Sequence, residues 1–337
     1  MGSVLPARRT RNVDAPALLE TFLVCAVVSF LGIRAFLALT GYPQIGGNGL
    51  HVAHLLWGGL LMLVALGMLL LFLDRWAQWT AAVVAGLGFG TFIDEIGKFL
   101  TADNNYFFRP AVALIYVVFV AVFLVGRAVV GRRRLSPRER LANALDLLAA
   151  HVDRPIQDDD RARILALLQH APEARLAGDI RRYVEGLPPA PDRWASLEAL
   201  PSRLTRAYAR LAGREWFDRA LLAGVVAYAV AALIGVGTVL LATRGPGQTA
   251  TVARIGDAGA TLVGAILVLR AIPALAESRA AAYRWLLRGL LVWILVAQVF
   301  VFYTSQLAGL GGLAVDLAAY ASLRFALARE DAREGRS

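Results

Sequence analysis

The sequence predicts an all-α fold, a polytopic transmembrane helical bundle of about eight spans in two blocks of four, with a small helical cytoplasmic insert between the blocks. Three observations predict it. The 337 residues are 58% hydrophobic and 18% charged with a mean hydropathy of +0.58, whereas soluble domains carry about 25% charged residues. Apolar runs of about 20 residues, the length that crosses the hydrocarbon core as a helix, recur along the chain. Arginine clusters flank these runs, as the positive-inside rule requires of cytoplasmic ends.

The first block, residues 1–130, contains the runs Ala17–Leu39, His51–Leu73, Trp79–Leu100 and Pro110–Val130. The second, residues 217–337, contains Ala220–Ala242, Val252–Ile272, Leu286–Thr304 and Ala308–Ala326 and ends in a short tail. Met1 to Arg11 is basic and is followed by an apolar run longer than a signal-peptide core, which predicts a first span that stays attached. Arg8, Arg9 and Arg11 precede span one, and Arg132, Arg133, Arg134, Arg138 and Arg140 follow span four. With Arg279, Arg284, Arg329, Arg333 and Arg336 on the same side, the N- and C-termini are expected in the cytoplasm.

All but one of the 35 basic residues are arginine, the exception being Lys98; this bias fits a high-GC bacterial genome and hence the bacterial plasma membrane. The net charge of +10 is explained by orientation in the bilayer, so nucleic acid is not an expected partner. The lone cysteine, Cys25, lies inside an apolar run, which excludes disulfide frameworks, cysteine-ligated zinc and iron–sulfur clusters within one chain.

Residues 131–216 are more polar and predict a cytoplasmic helical module. Leu141, Leu145, Leu147 and Leu148, then Ile164, Leu165, Leu167 and Leu168, recur at helical spacing. Asp158, Asp159 and Asp160 suit a helix N-terminus, and the proline-rich run from Leu187 to Pro191 breaks the pattern. His151 and His170 are expected at the surface or in helix packing. A module this small has a thin core and invites support from the membrane block, self-association or a protein partner.

The chemistry concentrates in residues 48–110. His51 and His54 are three apart at the start of span two and share a helical face, a spacing that suits two ligands of one metal. Span three carries Gly86, Gly90, Asp94 and Lys98 at steps of four, with Glu95 beside them. A short connection makes spans two and three antiparallel neighbours, and the helical rise puts His54, Asp94 and Lys98 within about 10 Å of the outer surface. Asp103, Asn104, Asn105, Tyr106 and Arg109 follow on the same side, with Arg34 of span one nearby. Carboxylates at that depth require partners or a wet cavity.

The strings His-x-x-His-Leu-Leu-Trp-Gly-Gly from His51, Phe-Ile-Asp-Glu-Ile-Gly-Lys-Phe from Phe92, and Asp-Asn-Asn-Tyr-Phe-Phe-Arg-Pro-Ala from Asp103 resemble those of an uncharacterised group of bacterial multipass membrane proteins. That resemblance covers about 65 residues and implies no activity. Intramembrane hydrolases of the alkaline ceramidase and adiponectin-receptor type use a third, distant histidine that this sequence lacks within its spans.

Three functions are open at this point. A metal-dependent intramembrane enzyme acting on a lipid-like substrate would use His51, His54 and Glu95 as ligands of Zn or Fe, with Asp94, Asp103 and Lys98 as catalytic groups. Asn105, Tyr106, Arg109 and Asp316 of span eight would bind the substrate. Asp94 and Glu95 point about 100° apart on a continuous helix, so only one is expected to join the histidines, the other pairing with Lys98 or Arg109. A small-solute or ion transporter would use Asp94, Glu95, Lys98 and Asp316 as a charge pathway. A scaffold or sensor would act through residues 131–216 while the polar cluster locks the bundle. The plain structural alternatives are an interfacial histidine pair, an Asp94–Lys98 ion pair at i, i+4, and a capping loop before Pro110.

Overall fold

The computed structural model describes residues 10–41, 53–101, 108, 110–130, 135–149, 151, 156, 158–169, 175–187, 215–242 and 248–334. Of these, 90% are helical and none is in a strand. Among the described residues seven helical stretches are long and apolar enough to cross a membrane, which fits the all-α multipass architecture. Their outer surfaces are apolar: Leu63 is 62% exposed, Leu70 76% and Leu71 78%, which suits lipid as the surrounding solvent.

The chain divides into two compact units. The first comprises Met1–Phe99 with Ala121–Arg193, and the second Leu100–Val120 with Trp194–Ser337. The division falls inside the fourth apolar helix, whose Val112, Ala113 and Tyr116 pack on Phe302 and its neighbours.

In the first unit, α1 (Ala15–Thr40), α2 (His54–Leu71) and α3 (Arg75–Ile93) pack side by side. Pro16 opens α1 and Gly41, at φ +72°, closes it by donating its backbone N–H to Leu37 O. Small residues set the spacing of α3 from both neighbours. A methyl group on Gly58 of α2 would lie 2.6 Å from Gly88 O, and one on Gly88 would lie 2.7 Å from Gly58 O. Gly86 and Gly90 lie against the Phe22 and Ala26 carbonyls of α1 in the same way. Ser29 Oγ bonds both Leu87 O and Thr91 Oγ1 at 2.9 Å. The α3 helix breaks at Asp94–Glu95 and resumes as α4 (Ile96–Leu100).

After α5 (Ala111–Val130), the helical module consists of α6 (Pro137–Ala149), α7 (Asp158–Gln169) and α8 (Arg175–Gly186). Its core contains Ala144, Leu147, Ile156, Ile164, Leu168, Ala177, Ile180 and Val184. Leu141, Leu148, Leu165 and Leu167 pack at its margin, whereas Leu145 is 39% exposed. A capping box starts α6: Glu139 Oε2 accepts from Ser136 N at 2.8 Å, and Ser136 Oγ from Glu139 N at 3.3 Å.

The second unit contains α9 (Glu215–Ala242), α10 (Gln248–Leu269), the single turn α11 (Ala271–Ala274) and α12 (Arg279–Val292). A π-helical segment (Trp293–Ala297) joins α12 to α13 (Gln298–Ser305), and a 3-10 turn (Gln306–Gly309) leads into α14 (Leu310–Glu334). The stretch Arg279–Glu330 is 52 residues long, more than twice what one crossing needs. Gln306, at φ +49°, interrupts it, and α12 packs back against α14 as a helical hairpin.

Candidate functional site

The polar groups of α1, α2 and α3 converge where α3 breaks. Asp94 is fully buried and accepts from Arg34 Nε of α1, which also donates through Nη2 to Asp94 O at 3.2 Å. Its second oxygen, Oδ2, lies 3.1 Å from His54 Nε2 of α2. Glu95, also fully buried, lies 3.5 Å from His54 Nδ1 and accepts from Lys98 Nζ at 2.6 Å. Its Oε2 accepts from Leu55 N at 3.2 Å, so a carboxylate from α3 caps the start of α2, where the helix dipole favours negative charge.

This arrangement corrects two expectations. Lys98 pairs with Glu95 at i, i+3, not with Asp94 at i, i+4; Asp94 pairs with Arg34 instead. Both carboxylates reach His54, because the turn at 94–95 removes the 100° divergence that a continuous helix would impose. The sequence placed Arg34 near the cluster but did not identify it as the partner of Asp94.

His54 faces a carboxylate with each ring nitrogen. Nε2 is within hydrogen-bond distance of Asp94, while the 3.5 Å between Nδ1 and Glu95 Oε1 is an ion-pair separation. Among the described residues no group of three or more His, Cys, Asp or Glu is arranged to hold a metal ion. His51, Asp103, Asn105, Tyr106 and Arg109 lie outside the described residues. Asp316 lies in the second unit, buried in α14.

A second ionic cluster, which the sequence analysis missed, sits at the opposite ends of α1 and α3. Asp14, next to the first residue of α1, accepts from Arg75 at the start of α3 and, through Oδ1, from Arg163 Nη2 of α7 at 2.5 Å. Arg11 Nε donates to Glu139 Oε1 of α6 at 2.8 Å. The Arg11 guanidinium and the Ser136 backbone N–H hold the Glu139 carboxyl well below the usual carboxylate range. Buried Asn143 of α6 accepts from Val13 N at 2.7 Å and donates to Arg11 O at 2.8 Å, and Asn12 donates to Gln78 Oε1 at 2.8 Å. His151, rather than standing on the surface, is 9% exposed and lies 3.0 Å from Asp160 Oδ2. The available signal was Asp14 and Arg75, opposite charges each set at the edge of an apolar run.

Chemically, the first cluster ties α1, α2 and α3 together at one level. The second fastens the helical module to the far ends of two of those helices. No protein-family model matches the chain, and neither a curated protein nor a solved structure matches it.

Proposed function

We propose that the protein is a non-enzymatic sensor of the bacterial plasma membrane, crossing it eight times with both termini in the cytoplasm and signalling through its cytoplasmic helical module. One observation carries the proposal: α1 and α3 hold Arg34 and Asp94 at one end and Asp14 and Arg75 at the other, and Arg163 of the module bonds to Asp14. A shift of α1 against α3 that disturbs the Arg34–Asp94 pair therefore acts on the carboxylate that anchors the module. On the positive-inside orientation the His54 cluster faces outward, where an ion, a headgroup or a change in protonation reaches it first.

Two features favour signalling over transport or metal-dependent chemistry on a lipid-like substrate. At Gly58, Gly88 and Gly90 the α3 backbone meets those of α2 and α1 closely, which leaves no room for a file of water at that level. His54 Nε2 is engaged by the Asp94 carboxylate.

Amide hydrogen exchange of the full chain in lipid nanodiscs tests the coupling. Asp94→Asn is expected to speed exchange in α7 by about threefold or more, the scale of long-range coupling energies. Unchanged exchange throughout α6–α8 contradicts the proposal. Elemental analysis tests the metal chemistry alongside it: stoichiometric Zn or Fe that survives dialysis and is lost in His51→Ala/His54→Ala would return the cluster to an enzyme.

A further inference from the structure

The second unit carries a charge that its packing isolates. Asp316 stands about 9 Å along α14 from its first residue and is 4% exposed. Because the hairpin folds back at Gln306, Asp316 is level with the π-helical segment 293–297 rather than with the charged ends of the hairpin. The π turn leaves the Ile294 carbonyl available to a side chain, and the Tyr116 hydroxyl of α5 donates to it. The Tyr116 hydroxyl and that of Tyr228 in α9 both lie within electrostatic reach of the Asp316 carboxylate.

The other groups around it supply no counter-charge. Tyr228 is also within electrostatic reach of Asp257 of α10, with Thr261 one turn along the same helix. Gln298 of α13 donates to Gly309 O at 3.0 Å, and Tyr320 lies one turn further along α14. The basic groups of the helices packed on α14 are Arg219 at the start of α9 and Arg279, Arg284 and Arg288 in α12; Arg324 and Arg329 lie further along α14 itself. Among the described residues none of these forms an ion pair with Asp316, which its neighbours bury to 4% exposure. An ionised carboxylate in the hydrocarbon layer with no cation beside it is costly, and a proton or a small cation removes that cost.

We propose that Asp316 is a proton-binding site of the second unit, a carboxyl group that takes up and releases its proton inside the membrane beside the Tyr116 and Tyr228 hydroxyls and the π-helical turn. The site is independent of the sensor proposed for the first unit. Its ligand class is the proton; a monovalent cation in its place is an outcome of the test below.

Dicyclohexylcarbodiimide distinguishes the possibilities, because this apolar reagent enters the bilayer and reacts with protonated carboxyl groups. The acid proton moves to a carbodiimide nitrogen as the carboxylate oxygen adds to the central carbon, and acyl migration to nitrogen leaves a stable N-acylurea with no atom lost. The full chain in nanodiscs is treated and its peptides are weighed by mass spectrometry. Asp316 is expected to be labelled at about pH 6 and at least tenfold more slowly at about pH 9, following its protonated fraction. Asp94 and Glu95, held by Arg34 and Lys98, are expected to stay unlabelled. Asp316→Asn should remove the label, and Asp316→Glu, which keeps the chemistry if the asparagine variant does not fold, should retain it. Failure to label Asp316 anywhere between about pH 5 and 9, or a rate that ignores pH, overturns the proposal. Protection by sodium but not by choline at constant pH also overturns it, in favour of a cation site.

Discussion

Arg163 of α7 and Asp14 at the start of α1 are joined at 2.5 Å, so a helix of the polar module is bonded to a membrane helix through a carboxylate that also accepts from Arg75 of α3. Asp14 is 8% exposed, and neutralising it strands the Arg75 guanidinium, whereas Arg163, 46% exposed at its side chain, can turn to water. Asp14→Asn is expected to cost about 3 kcal/mol, the scale for removing one partner of a buried ion pair. Trypsin should then cut the module at its arginines faster than in the wild type, while an unchanged digestion pattern would show that Asp14 does not hold it.

Neighbouring glycines in α2 provide an internal control on helix packing. A methyl group at Gly58 meets the α3 backbone at 2.6 Å, whereas one at Gly59 meets nothing within 4 Å. Gly58→Ala should destabilise the protein by about 1–3 kcal/mol through overpacking. Gly59→Ala should be neutral or stabilising by up to about 1 kcal/mol, the helix-propensity gain. Unfolding in SDS titrations reads both, and equal effects would refute the close α2–α3 contact.

The two cations of the outer cluster should differ in weight. Arg34 is 11% exposed at its side chain and serves fully buried Asp94, while Lys98 is 25% exposed and can reach the interface. Arg34→Met is expected to cost about 3 kcal/mol. Lys98→Met is expected to cost less, about 2 kcal/mol, because buried Glu95 keeps the Leu55 N–H as a donor. The same SDS titration measures them, and a larger loss at Lys98 would mean that the Glu95 pair, not the Asp94 pair, secures the helices.

Acid should release the Arg11–Glu139 link. The folded state holds the Glu139 carboxyl below its ordinary value, so this stabilisation is fully present above about pH 4.3 and is lost as pH falls from there through the lower folded-state value. Exchange of the α6 amides compared at about pH 5 and pH 3 should show the loosening in the wild type and much less of it in Glu139→Gln. The same acid response in both proteins would assign it to another carboxylate.

Much of the architecture was legible because a bilayer imposes a length and an apolar exterior on every crossing, and that requirement is written directly in runs such as His54–Leu71. The convergence of His54, Asp94 and Glu95 was legible in outline, since a short connection forces α2 and α3 to be antiparallel. The partners were not. Whether Asp94 meets Lys98 or Arg34 depends on a helix break between two residues whose identities permit a continuous helix. The anchoring of the module was hidden for a different reason: Arg163 lies 149 positions from Asp14, and periodicity carries no signal for so distant a pair.

The central claim is that α1 and α3 couple the Asp94 cluster to the Asp14 cluster, and a double-mutant cycle tests it most directly. Asp14 and Arg34 are 20 residues apart, about 30 Å along α1, a separation at which independent sites contribute additively. With Asp14→Asn, Asp94→Asn and the double variant unfolded in SDS, coupling predicts an interaction energy of about 0.5 kcal/mol or more. Additivity within about 0.3 kcal/mol would contradict it, leaving two separate structural clasps on a shared pair of helices.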